Sequence, residues 1–427
     1  MKAVVLAAGE GIRLKPITST RPKHMIRICG KPLLEHCLKS LKNSGINEVI
    51  LIVNYMADVM RDYFADGERL GLKIEYAKQE AILGTGNAVS TAETYIKDDF
   101  LLTYGDLLFT AETAKKAIDL HKKSKQAATM VIVPVEDPQH YGIVNLENER
   151  RIRSIIEKPH PEKAHTNLAN AGIYVFSPEI FGKIKETSAS TRGEWEITDA
   201  ISLLLRDKKQ VSALKISAED WFDIGRPWDL LEANRWVLTK TEHKVLGHVE
   251  SGSSLVGPIS VAETARIRSG VYIEGPAFID EKTDIGPNCY IRPYTCIGKN
   301  VRIGNSCEIK NSLIMNKAHI GHLSYIGDSI IGENCNLGAG TVTANFRLDA
   351  RTVKMIIKDK IVDSKRRKLG VVLGDGVKTG INALLMPGIK IGSNSWIGPN
   401  VVVYRDLGAN KILLLKQNTE ERNLDSR

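Results

Sequence analysis

From Val249 onward an aliphatic residue recurs every six positions: Val249, Leu255, Val261, Ile267, Ile273, Ile279, Ile285, Ile291, Ile297, Ile303 and Ile309. After a one-residue slip the series resumes at Ile314, Ile320 and Ile326. A second slip leads to Ile331 and Leu337, and a last block runs Leu373, Thr379, Leu385, Ile391, Ile397 and Val403. Neither the 3.6-residue period of a helix nor the two-residue alternation of an ordinary strand produces this spacing. It predicts a β-solenoid over residues 247–404, each six-residue side burying one aliphatic in a continuous core. Cys289, Cys307 and Cys335 each fall four positions after a core aliphatic, where a small side chain is wanted. Packing accounts for them better than redox or metal chemistry does.

Residues 1–228 follow another rule. Short apolar runs at Lys2–Ala7, Val49–Val53, Lys73–Tyr76 and Phe100–Tyr104 alternate with helical patterns at Leu33–Asn43, Ala57–Ala65, Thr85–Tyr95 and Thr113–Lys123. That alternation predicts an α/β domain with a Rossmann-like, mostly parallel sheet. A helix over 229–246 would join it to the solenoid, and residues 405–427 form a tail without a legible pattern. With 43% hydrophobic and 26% charged residues, the 427-residue chain has a globular composition. No apolar run approaches the ~20 residues of a membrane span. The apolar start runs into a glycine loop instead of a cleavage site, and the six cysteines lack disulfide-like spacing, so a cytoplasmic protein is expected.

The loop after the first strand reads Leu6-Ala7-Ala8-Gly9-Glu10-Gly11-Ile12-Arg13, with Arg21-Pro22-Lys23 following. Glycines there let backbone N–H groups approach a phosphate, and the cations suit an anionic ligand. A dinucleotide fingerprint would need a third glycine where Leu14 stands, and a P-loop would need Gly-Lys-Ser/Thr. The string, followed by Gln79, Gly84-Thr85, Tyr104-Gly105-Asp106, Tyr141-Gly142, Glu157-Lys158-Pro159, Asn170-Ala171-Gly172, Glu194-Trp195-Glu196 and Trp221-Phe222-Asp223, resembles the sugar-1-phosphate nucleotidylyltransferases. The resemblance implies that Ala7, Gly9, Gln79, Gly84 and Thr85 hold the nucleotide. It implies that Tyr104, Gly142, Glu157 and Asn170 hold the sugar, that Asp106 and Asp223 carry Mg²⁺, and that Arg13 and Lys23 are catalytic. Two carboxylates suit Mg²⁺, which takes hard oxygen ligands and keeps several waters. His24 and Arg27 stand where many members carry small residues or proline. Asp223 matches the thymidylyl-type enzymes, whereas the uridylyltransferase branch carries Asn, so UTP and dTTP both remain open.

A second constellation lies in the solenoid. Gly321-His322-Leu323-Ser324-Tyr325-Ile326-Gly327-Asp328, followed by Asn336-Leu337-Gly338-Ala339-Gly340-Thr341, resembles the acetyltransferase half of bifunctional N-acetylglucosamine-1-phosphate uridylyltransferase/glucosamine-1-phosphate acetyltransferases. The resemblance implies His322 as general base, Arg292 and Lys310 as the grip on the sugar phosphate, and Tyr325 and Asn336 as sugar contacts. Ala339, Asn345, Phe346 and Arg351 would contact acetyl-coenzyme A, with Phe346 replacing a tyrosine and Arg351 a lysine. It further implies a left-handed β-helix, a homotrimer with sites between subunits, and an insertion, here 344–372, that covers a neighbour's site.

The expectation is therefore a bifunctional enzyme that acetylates an amino-sugar 1-phosphate and then joins it to UTP or dTTP. Two alternatives stand beside it: nucleotidyl transfer alone with a structural or allosteric solenoid, and a non-enzymatic regulatory subunit of the same layout. Charge points away from nucleic acid. The formal net charge is +9, yet the stretch Arg347–Lys368 holds nine Lys/Arg against three Asp, so six of those nine charges sit in one insertion. A local patch of that kind suits the phosphates of coenzyme A or of the sugar.

Overall fold

The computed structural model describes residues 1–160, 162, 165–190 and 193–423, which form two units. The first comprises Met1–Gly11, Arg21–Ile26 and Lys31–Ile224; the second comprises Ile12–Thr20, Arg27–Gly30 and the chain from Gly225 onward.

The first unit is built on a nine-stranded sheet. Strands Lys73–Lys78, Glu48–Val53, Lys2–Ala7 and Phe100–Tyr104 lie side by side and parallel. Leu168–Phe176 then runs antiparallel between Phe100–Tyr104 and Ala128–Pro134. The mostly parallel sheet expected from the alternation is thus parallel over its first four strands in chain order and mixed beyond them. Alternate residues of the strands feed two cores. Ala3, Val5 and Ala7 pack with Leu34, Leu38, Met60 and Ala117, while Val4 and Leu6 pack with Val89, Ile180, Phe181 and Ile201. Helices on both faces explain why Lys2–Ala7, Glu48–Val53 and Phe100–Tyr104 are apolar over most of their length instead of alternating, unlike the edge strand Lys73–Lys78. The helix expected over 85–95 ends at Ser90, where the Ser90 and Thr91 hydroxyls both donate to the Asn87 carbonyl and compete with the helical ladder.

Helix Leu33–Asn43 buries Glu35, whose side chain is 2% exposed. Burial alone would raise its pKa, but hydrogen bonds from Lys39 and Tyr63, with Arg69 behind them, hold it down to about 2. Because the folded value lies below the unfolded one (~4.3), the stabilisation is complete above that pH and is lost as pH falls toward 2. Glu35→Gln is expected to cost about 2–3 kcal/mol at pH 7 and almost nothing near pH 2, read from urea unfolding midpoints.

The second unit is a three-sided parallel solenoid with faces of eight, nine and eight strands. Ile267 pairs with Ile285 and Ile285 with Ile303 on one face; Ile273 pairs with Ile291 and Ile291 with Ile309 on another. The six-residue aliphatics from Val261 to Val403 line one buried core, and Cys289, Cys307 and Cys335 lie in it at 2% exposure or less. Helix Pro227–Leu238 precedes the solenoid and buries Trp228, Leu230, Leu231 and Leu238. Its Asn234 Nδ2 donates to the Tyr294 carbonyl at 2.9 Å, and Arg235 lies 4.0 Å over the Tyr294 ring. Within the insertion, Lys354–Ile357 and Lys360–Asp363 form a hairpin closed at Lys358-Asp359, both at positive φ as the tight reversal requires. Past residue 404 the chain adds another coil, with Ile412–Leu413 pairing onto Trp396–Ile397.

Candidate active sites

In the first unit the sequence motifs converge on the C-terminal edge of the parallel strands, where α/β sheets bind ligands. Register pairs Ala7 with Val53, Val53 with Lys78, and Leu6 with Tyr104. Ala7 is buried and Gly9 exposed, with open space where a Cβ would stand. Gln79, 2% exposed, donates from Nε2 to Asn87 Oδ1 at 2.7 Å and to the Gly84 carbonyl at 3.4 Å. The Thr85 hydroxyl donates to Glu196 Oε2 at 3.1 Å and accepts from the Ile197 N–H at 2.9 Å. Two motifs more than a hundred residues apart are therefore one strap around the loop. Glu196 is a part of it that residue type alone did not mark as functional.

The four candidate sugar residues also come together. Gly142 and Glu157 are register partners on neighbouring strands, and a Cβ on Gly142 would stand 2.8 Å from Glu157 Oε2. That position must be glycine if the carboxylate is to keep its place. Asn170 Oδ1 accepts from the Gly172 N–H at 3.0 Å, and its Nδ2 donates to the Tyr174 hydroxyl at 2.5 Å. Tyr174 Oη stands 3.4 Å from Tyr104 Oη. Burial raises both phenols above their ordinary pKa, so both stay protonated. Tyr174 is the residue sequence reading missed: fully buried mid-strand, it looks like core, and only its two partners reveal that it orients Asn170 and Tyr104.

Lys23 and Asp106 form a direct ion pair, with side-chain exposures of 8% and 20%. Burial pushes the Asp106 carboxyl up, but the ammonium of Lys23 outweighs it and holds the group ionised. His24 beside them is driven down to about 4 by burial, against the pull of Asp106, so its ring is neutral. Strand Trp221–Asp223 pairs antiparallel with Leu107–Phe109, and Asp223 faces Leu107, next in sequence to Asp106. Two carboxylates are thus delivered by adjacent strands, a hard-oxygen donor pair of the kind Mg²⁺ accepts. Arg13 falls in the second unit, exposed, with its guanidinium 3.3 Å from where a Cβ on Gly225 would stand.

In the solenoid both one-residue slips and the insertion occur at one corner, in successive coils. Lys310 follows Ile309, Gly327 follows Ile326 in register with it, and Ala344 and Asn345 follow Thr343. The shortened turns admit polar side chains there. Asp328, 3% exposed, accepts from Lys310 Nζ at 2.9 Å, from Asn311 Nδ2 at 2.7 Å and from Asn345 Nδ2. Asn345 Nδ2 also donates to Tyr325 Oη at 3.1 Å. A Cβ on Gly327 would overlap that hydroxyl, at 2.5 Å. Arg292, one coil before Lys310, donates from Nη1 to Glu308 Oε1 at 2.9 Å. Arg292, Lys310 and Asp328 share a cavity of about 490 Å³ with Arg235 and Arg366–Lys368.

His322 lies at the other end of strand Tyr325–Gly327, its ring exposed and its carbonyl accepting from Gly340 N–H at 3.1 Å in the coil above. Ala339 is next to that contact and Asn336 is exposed on the adjoining face. Lys310, Tyr325 and Asn345 are therefore one hydrogen-bonded group, with His322, Asn336 and Ala339 gathered around the preceding corner. Phe346 is 43% exposed and bridges to Lys368 across the base of the insertion, while Arg351 is exposed beyond it.

The Nucleotidyl transferase family matches residues 2–240, the GMPPB C-terminal domain residues 273–385, and the bacterial transferase hexapeptide (six repeats) residues 370–405. The hexapeptide match and the three parallel faces agree with the left-handed β-helix expected. The chain is 43% identical over 410 residues to the bifunctional protein GlmU of Methanocaldococcus jannaschii, covering 96% of each. It is 42% identical over 410 residues to a bifunctional sugar-1-phosphate nucleotidylyltransferase/acetyltransferase of Sulfurisphaera tokodaii, covering 96% of this chain and 98% of that one. A UDP-glucose pyrophosphorylase complexed with UDP-glucose matches with a TM-score of 0.52 at 27% identity, over 56% of this chain and 98% of that one.

Proposed function

Because the chain belongs to the family of bifunctional sugar-1-phosphate nucleotidylyltransferase/acetyltransferases, we propose that its two halves act in turn on one sugar phosphate. Acetyl transfer to an amino-sugar 1-phosphate is assigned to 247–404 with the insertion 344–372, and nucleotidyl transfer to 1–228, with 229–246 joining them. The observation that carries the reading is the pairing of two intact constellations in one chain. Lys23, Asp106 and Asp223 with the sugar group make one; His322 with Arg292, Lys310, Tyr325 and Asn345 makes the other.

In the acetyltransferase half, His322 takes the proton from the substrate amine as its nitrogen attacks the thioester carbonyl. The carbon–sulfur bond then breaks and coenzyme A leaves as the thiol, taking up a proton. Arg292 and Lys310, oriented by Glu308 and Asp328, hold the phosphate. Tyr325 and Asn336 orient the ring, while Ala339, Asn345, Phe346 and Arg351 lie toward acetyl-coenzyme A.

In the nucleotidyltransferase half, a phosphate oxygen of the sugar 1-phosphate attacks the α-phosphorus of UTP or dTTP, and the bond to pyrophosphate breaks. Neither partner must lose a proton first, so the chain's task is in-line positioning and charge neutralisation. Ala7, Gly9, Gln79, Gly84 and Thr85 hold the nucleotide; Tyr104, Gly142, Glu157 and Asn170 hold the sugar. Lys23 offsets the charge that develops on the leaving group. Asp106 and Asp223 would hold Mg²⁺, which supplies further charge neutralisation on the phosphates when bound. The chain acts in the cytoplasm as a homotrimer, with no membrane or nucleic-acid partner.

Glucosamine 1-phosphate with acetyl-coenzyme A and UTP or dTTP tests the whole reading. Release of both coenzyme A and pyrophosphate is expected. Pyrophosphate without coenzyme A would leave nucleotidyl transfer alone, and neither product would leave the regulatory alternative.

A further inference from the structure

The cavity that holds Arg292 and Lys310 is more basic than those two residues make it. Each of them is already neutralised, Arg292 by Glu308 and Lys310 by Asp328. Arg366 is neutralised too, by an ion pair with Glu232 of helix Pro227–Leu238. The remaining lining cations are Arg235, Arg367 and Lys368, and among the described residues no carboxylate pairs with any of them. The net positive field of the cavity therefore comes from these three. Their positions are fixed. Arg235 is held on the Tyr294 ring, and the strap Arg366–Lys368 is pinned at one end by Glu232. At the other end Lys368 bridges Phe346 and Leu369 N–H donates to the Asn345 carbonyl at 2.9 Å. Asn345 is itself a member of the Asp328 network. The other six cations of the insertion, Arg347, Arg351, Lys354, Lys358, Lys360 and Lys365, are outside this cavity's lining.

We infer that Arg235, Arg367 and Lys368 are specificity-determining residues that bind the phosphate of the acetyl acceptor, and that Glu232 and Arg366 are positioning residues that hold the strap over it. The inference rests on the assignment of acetyl transfer to this half of the chain. Arg292 and Lys310, their charges spent on carboxylates, supply directed hydrogen bonds. The three uncompensated cations supply the attraction for a phosphate monoester dianion, and so the preference for a phosphorylated over a free amino sugar.

The test follows coenzyme A release in the full-length protein, with glucosamine 1-phosphate as substrate and inorganic phosphate as competitor. The variants are Arg367→Ala with Lys368→Ala, Arg235→Ala, Glu232→Gln, Glu232→Asp and Lys310→Ala. The double variant is expected to raise the KM for the sugar phosphate on the order of tenfold or more, with kcat within about twofold. The inhibition constant for phosphate should rise in parallel, and the salt dependence of KM should flatten. Glu232→Gln unpins the strap but leaves Arg366 uncompensated as well, so it is expected to raise the same KM by less than the double variant does, and Glu232→Asp to restore it, a rescue that a generally loosened fold would not show. A raised KM for acetyl-coenzyme A with the sugar-phosphate KM unmoved would overturn the inference, as would no change in either. If Lys310→Ala raises the sugar-phosphate KM while the double variant does not, the clamp alone falls. If the wild-type protein releases no coenzyme A, the assignment beneath it falls with it. Arg367 and Lys368 are exposed, so replacing them leaves the core intact.

Discussion

His322→Ala is expected to cut coenzyme A release by a factor of about 10² to 10⁴ while pyrophosphate release stays at the wild-type level. An ammonium group cannot attack a thioester; its nitrogen lone pair is freed only when a base takes the proton, and the exposed imidazole of His322 is assigned that step. Its ring is exposed at the corner, while its carbonyl is fixed by Gly340 N–H and by the Ser324 hydroxyl at 2.8 Å. Removing the ring therefore takes away chemistry without opening the core. That exposure gives a second readout: added imidazole should restore part of the lost rate, because the vacated position is open to solvent. Loss in kcat with the KM for glucosamine 1-phosphate little changed would separate proton removal from phosphate binding. Wild-type acetylation by His322→Ala would refute the base.

What could be read beforehand was whatever the physics repeats. One aliphatic per six residues is a local rule enforced afresh in each coil, so eleven positions from Val249 to Ile309 state it before any fold is known. The slips at Ile314 and Ile331 were visible as interruptions, but their purpose was not. Only stacking shows that both shorten the same corner and make room for Asp328. Glu308 and Asp328 carry no sequence mark as site residues because a carboxylate in a polar turn is ordinary. Their meaning comes from Arg292 and Lys310, 16 and 18 residues away. Tyr174 was hidden for the opposite reason: apolar neighbours and full burial make it look like core. The extra coil after Val403 was obscured by a turn of four residues to Leu407, although Leu407 and Leu413 resume the spacing of six. Motif residues in the first unit were legible one by one. That Thr85 and Glu196 hold each other was not, because the distance between them in sequence carries no periodic signal.

Asp106→Asn is expected to reduce pyrophosphate release at least a thousandfold and to leave coenzyme A release unchanged. The substitution keeps the shape of the side chain and one acceptor oxygen but removes the charge. That charge does two things at once: it would serve as a hard donor to Mg²⁺, and it holds the Lys23 ammonium in place. Loss of the pair also leaves Lys23, with only 8% of its side chain exposed, as a buried cation without its counter-charge. Breaking a buried pair from one side costs about 3–5 kcal/mol, discounted here because Asp106 is one-fifth exposed. The first unit of Asp106→Asn should therefore unfold at lower urea concentration than the wild type. Replacing both partners, Lys23→Met with Asp106→Asn, removes the stranded charge and should recover most of that stability. It should recover none of the pyrophosphate release, because both the donor and the cation that offsets the leaving group are then gone. The cycle thus separates two explanations that the single variant confounds. If activity returned along with stability, Asp106 and Lys23 would be a structural pair. Stability regained without activity is the outcome that a catalytic pair requires.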